Sequence, residues 1–110
     1  MFDDLTRPAK RIQNQRETGK GGVQDKCVAH ARGQGWLARR FKAPMRNGGV
    51  DYIFAKAGRV LFVEFKAPGK EPTPLQAEEH AKLREAGLTV SVHDDVERFK
   101  KMLAFEEAML

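Results

Sequence analysis

Residues 50–69, Val-Asp-Tyr-Ile-Phe-Ala-Lys-Ala-Gly-Arg-Val-Leu-Phe-Val-Glu-Phe-Lys-Ala-Pro-Gly, constrain the fold more than any other stretch. Two runs rich in β-branched and aromatic residues flank Lys56-Ala57-Gly58-Arg59. This pattern predicts a β-hairpin closed by a tight turn at Ala57-Gly58. Glycine takes the positive φ that such a turn needs. A symmetric turn pairs Lys56 with Arg59, Ile53 with Phe62 and Asp51 with Glu64. Directly opposed residues hold their Cβ atoms ~4.5–5.5 Å apart on one face, so the two carboxylates are expected to face each other. Lys66 lies two residues beyond Glu64 and projects from that same face.

Leu61, Val63 and Phe65 line one face of the second run, and Val60 and Phe62 the other. A strand apolar on both faces is a central strand covered on both sides. Glu64 and Lys66 thus stand at the end of a core strand, where charge is costly unless compensated. An ion pair between them is one compensation. A divalent cation held between Asp51 and Glu64 is the other, and hard oxygen ligands suit Mg²⁺ or Mn²⁺.

The same residues form a motif. Asp51, followed after a hairpin by Glu64-Phe65-Lys66, resembles the PD-(D/E)XK nuclease superfamily. Within it, Gly49-Val50-Asp51 and Val63-Glu64-Phe65-Lys66-Ala67-Pro68-Gly69 with a downstream Gln76 resemble the VRR-NUC family. The resemblance runs from about residue 23 to residue 92. It implies a restriction-endonuclease-like α/β core and a metal-dependent DNA nuclease, with Asp51 and Glu64 as metal ligands, the Phe65 carbonyl as a further ligand, and Lys66 and Gln76 as catalytic residues. The family usually places a supporting Glu in the first helix. Here the candidates are Gln24, Asp25 and, further upstream, Glu17, and Gln24 has a side-chain oxygen able to position a water. Small stand-alone members resemble structure-specific nucleases, so the resemblance further implies branched or four-way-junction DNA as substrate.

The chain has 110 residues, enough for one small domain. Its 20 Lys and Arg against 15 Asp and Glu give a net charge of +5 and a pI near 9.6, a balance that favours a polyanionic partner. Arg39, Arg40, Lys42, Arg46, Lys66 and Lys70 cluster in sequence around the acidic pair, which points to phosphate contacts and hence to nucleic acid, and the resemblance implies that this is DNA. Cys27 is the sole cysteine, so no internal disulfide framework or cysteine-rich zinc site is expected, and the thiol reads as a small helix-core residue. A reducing, cytoplasmic setting is the default for such a chain. No apolar run is long enough to span a bilayer, and the first residues do not read as a secretory signal.

Residues 1–22 read as a basic arm and linker, and residues 23–110 as a single domain. Within the domain the pattern predicts a helix over residues 23–34, a strand over 36–42, the hairpin, a helix opened by Thr73-Pro74, a strand over 88–93 and a last helix capped by Asp94-Asp95 with Glu97 completing a capping box. The order helix, three strands, helix, strand, helix is an α/β core with a mixed central sheet flanked by helices, the last strand joining by a crossover. Gln76 has two readings: reaching back to the Thr73 amide as a capping residue, or standing in the site. His80 lies on the same helical stripe and could approach it. Val96, Phe99, Met102, Leu103 and Phe105 form the expected apolar face of the last helix. Met109 and Leu110 extend it beyond what a small domain needs, which suggests a homodimer.

Overall fold

The computed structural model describes residues 22–41 and 50–110. The expected strand residue Lys42, the loop residue Arg46 and the arm over residues 1–21 lie outside them. The elements follow the expected order: α1 (Val23–Gly33), β1 (Leu37–Arg40), β2 (Tyr52–Lys56), β3 (Arg59–Phe65), α2 (Pro74–Glu85), β4 (Thr89–His93) and α3 (Val96–Glu107). The sheet has the order β1-β2-β3-β4. Its first two pairings are antiparallel and β3–β4 is parallel, so α2 is the crossover that a parallel neighbour requires.

Register follows from the turn. Lys56 pairs with Arg59 and Ile53 with Phe62. Both central turn residues have positive φ, Ala57 at 49° and Gly58 at 86°, the conformation in which a two-residue loop matches the right-handed twist of its strands. Alanine is poorly suited to it, since its Cβ crowds the carbonyl at a cost of roughly 1 kcal/mol. Ala57→Asn is therefore expected to stabilise the domain by about 0.5–1 kcal/mol and to raise Tm by several degrees, read in a thermal melt.

The two sheet faces differ. Ala38, Tyr52, Phe54, Leu61, Val63 and Phe65 point to one side and form the core with Val23, Cys27, Val28 and Ala31 of α1 and Phe99 and Leu103 of α3. The Phe54, Phe65 and Phe99 rings meet with centroids 5.5–6.3 Å apart. Burial pushes the Cys27 thiol up to about 12, which fits a core residue and leaves almost no thiolate for chemistry. The opposite face, under α2, is covered less completely. Phe62 there is half-buried and Val60 is 43% exposed, yet Glu64 is 2% exposed.

Two expectations for α3 are corrected. Phe105 is 63% exposed. The buried stripe is Phe99, Leu103 and Glu106, and at ~100° per residue Phe105 falls about 120° away from Phe99. Glu106 takes the inward place and pairs with Arg59 of β3. The N-cap is Asp95, which accepts from the Arg98 N–H at 2.9 Å. Glu97 thus stands one position short of the place from which a capping box closes. Asp94 instead accepts from Gly69 N at 3.0 Å, tying the loop after β3 to the end of β4.

Candidate active site

Asp51 immediately precedes β2, and its backbone continues the ladder. Its N–H donates to Val63 O at 2.9 Å, and its Oδ2 accepts from Phe65 N at 2.7 Å. These bonds, to the residues on either side of Glu64, tie Asp51 to the end of β3, one residue beyond the last paired position, Tyr52 with Val63. Burial pushes the Asp51 carboxyl above its usual range. The Phe65 N–H, Lys66 and Arg40 oppose that shift without cancelling it.

Glu64 points beneath α2, where three side chains meet its carboxylate. Gln76 Nε2 donates to Oε2 at 2.8 Å, Lys66 Nζ lies 3.4 Å from Oε2, and His80 Nε2 lies 3.1 Å from Oε1. Lys66 is positioned by its backbone, whose N–H donates to His93 O at 2.9 Å at the end of β4. Gln76 both caps its helix and reaches Glu64. Its N–H donates to Thr73 Oγ1 at 3.2 Å and its Oε1 accepts from Thr73 N at 2.9 Å, closing the capping box. With the amide oxygen committed to the cap, its NH₂ is aimed at Glu64.

His80 is 2% exposed. Burial, with Arg84 and Lys66 adding to it against Glu79, lowers its pKa. A neutral imidazole has one N–H, and beside a carboxylate acceptor that proton belongs on Nε2. Among the polar partners of Glu64, His80 has the least support in the sequence. Its one signal is the four-residue spacing from Gln76 along α2, which stacks the two side chains on one face.

Gln24 and Asp25 lie in the first turn of α1 and are buried, at 4% and 9% exposure. The C-terminal end of α1 stands at the hairpin end of the sheet, where Lys56 Nζ donates to Gln34 O at 2.7 Å. Its first turn is therefore at the carboxylate end. Arg39 and Arg40 are exposed on β1, with the Arg40 guanidinium 5.8 Å from the Tyr52 ring centroid. Phe41 N donates to Asp51 O at 2.8 Å, so Arg40 also stands at the carboxylate end. Exposed Lys70 follows β3 at that end.

Among the described residues, no group of three His, Cys, Asp or Glu side chains is arranged to hold a metal ion. Asp51, Glu64 and the Phe65 carbonyl would offer only oxygen donors, which suit a hard divalent cation that commonly completes its shell with water and substrate phosphate. The upward shift of Asp51 fits the same chemistry, because a cation beside it stabilises the charge that burial disfavours.

No protein-family model matches the chain. A protein named "Putative nuclease p44", from Acyrthosiphon pisum secondary endosymbiont phage 1, is 41% identical over 73 residues, covering 66% of this chain and 78% of the phage protein. A solved structure described as a VRR_NUC domain superposes with a TM-score of 0.68 at 27% identity, covering 74% of this chain and 90% of its own.

Proposed function

The chain belongs to the VRR-NUC family of nucleases, and from that premise we propose that it is a Mg²⁺- or Mn²⁺-dependent endonuclease that hydrolyses DNA phosphodiesters, preferring branched DNA such as four-way junctions. One observation supports the reading: Asp51 is bonded to Val63 and Phe65, the residues on either side of the buried Glu64, while Lys66 stands beside that carboxylate. Asp51, Glu64 and the Phe65 carbonyl would hold the cation. When bound, such an ion neutralises phosphate oxygens and acidifies water.

The side chains have distinct tasks. Lys66 holds a proton donor beside the scissile phosphate, orients the attacking water and stabilises charge developing on the transition state. Gln76 keeps Glu64 in place, and Gln24 positions a water from the first helix. Arg39, Arg40, Lys42, Arg46 and Lys70 grip flanking phosphates, contacts that position the duplex without reading its sequence. The nuclease domain spans residues 23–110, with residues 1–22 as a basic arm. Exposed Phe105, Met109 and Leu110 on and beyond α3 supply an apolar surface for a twofold dimer, whose two sites would suit a symmetric junction. No helix among the described residues is long and apolar enough to cross a membrane, consistent with action on DNA in the cytoplasm of a bacterial or phage-infected cell.

A non-catalytic DNA-binding module is the competing reading, favoured by the lack of a Glu in α1, where the family usually has one. Cleavage of four-way-junction and linear duplex DNA by the purified chain, with Mg²⁺, with Mn²⁺ and with chelator, separates the two. Metal-dependent turnover, faster on the junction, is expected. Tight binding with no turnover under any of these conditions would establish the module instead.

A further inference from the structure

We propose that His80 is a positioning residue for the cation site, clamping the Glu64 carboxylate together with Gln76 and so fixing how its oxygens face Asp51. The inference rests on the reading of Asp51 and Glu64 as cation ligands. Gln76 and His80 are one turn apart on α2 and reach different oxygens of one carboxylate, Oε2 at 2.8 Å and Oε1 at 3.1 Å. The terminal torsion of a glutamate is broad, so a single donor leaves its oxygens free to swing. Two donors at fixed points on a helix remove that freedom. Gln76 is itself locked by the cap at Thr73, and His80 is held by burial at 2% exposure. The clamp is therefore rigid at both ends, as a metal site requires of the groups behind its ligands.

A buried histidine with a purely packing role makes a different prediction. Met and Gln are of similar length and volume, but only Gln restores an N–H near the place of Nε2. If His80 only fills space, His80→Met should perform as well as His80→Gln or better. If it positions Glu64, the order reverses.

The test is Mn²⁺ binding to the full chain, followed by electron paramagnetic resonance, in wild type, Asp51→Asn, His80→Met and His80→Gln, with thermal melts on each. Wild type should bind Mn²⁺ and Asp51→Asn should not. His80→Met should bind about 10–100-fold more weakly, and His80→Gln should recover most of the loss. Equal binding by His80→Met and wild type, or equal weakening in Met and Gln, overturns the positioning role and leaves the cation site standing. Absence of Asp51-dependent binding in wild type overturns both. Should His80→Met not fold, the ring nitrogen resonances of His80 in wild type decide: a shift of Nε2 on adding Mg²⁺ supports the clamp, and no shift overturns it.

Discussion

Purified Asp51→Asn is expected to lose metal-dependent DNA cleavage by about 10³-fold or more, with its fold and its affinity for DNA largely intact. The substitution is chosen for what it keeps. Asn retains an oxygen able to accept from Phe65 N, the bond that fixes the end of β2 against β3, while the charge that would hold a cation is gone. Losing such charge stabilisation costs several kcal/mol at the transition state, and each 1.4 kcal/mol is tenfold in rate. Lys66→Ala should act in the same direction by about 10²–10³-fold, because a preorganised charge beside the phosphate is lost. Single-turnover cleavage, circular dichroism and gel-shift binding read the three quantities. Full activity in Asp51→Asn would remove the carboxylate pair from the mechanism.

A second large effect is acid destabilisation centred on His93. Its ring is 8% exposed, lies edge-on to Phe99 with centroids 5.4 Å apart, and has Nε2 3.1 Å from Ser91 Oγ. Burial, with Arg98 adding to it against Asp94 and Asp95, lowers its pKa from 6.5 to about 4. The sign follows from proton counting. Below pH 6.5 the unfolded chain takes up a proton that the folded chain refuses until about pH 4, so stability falls as pH drops through that window. The full loss is about 3 kcal/mol, at 1.36 kcal/mol per pKa unit. Urea denaturation at pH 7, 6, 5 and 4 should show the decline, and His93→Gln, which cannot titrate, should flatten it. Identical curves for the two proteins would mean that His93 is charged in the folded state.

The hairpin was legible because side-chain alternation of period two and a two-residue turn together fix register, so the pairing from Lys56–Arg59 to Tyr52–Val63 follows from counting. The start of α2 was legible because Thr73, Pro74 and Gln76 each suit a different place in the first turn. At α3 the sequence offers adjacent acids, either able to cap, and chain direction after β4 decides for Asp95. The exposure of Phe105 and the burial of Glu106 depend on how far α3 is rotated against α1, which hydrophobicity alone does not encode when Arg59 waits to neutralise a glutamate. The contact of His80 with Glu64 depends on how closely α2 lies over β3, a distance set by packing beneath the crossover.

That crossover has a bearing on when the molecule becomes able to act. β2 and β3 are neighbours in sequence and can pair early. The parallel addition of β4, by contrast, must await closure of the whole intervening segment, the slow kind of step in chain assembly. Only then do Gln76 and His80 arrive over Glu64 and Lys66 N find its partner on His93. A nascent or partly denatured chain is therefore expected to display Glu64 before its supports on α2 and β4 are in place, and to gain any activity that depends on them only with these long-range contacts.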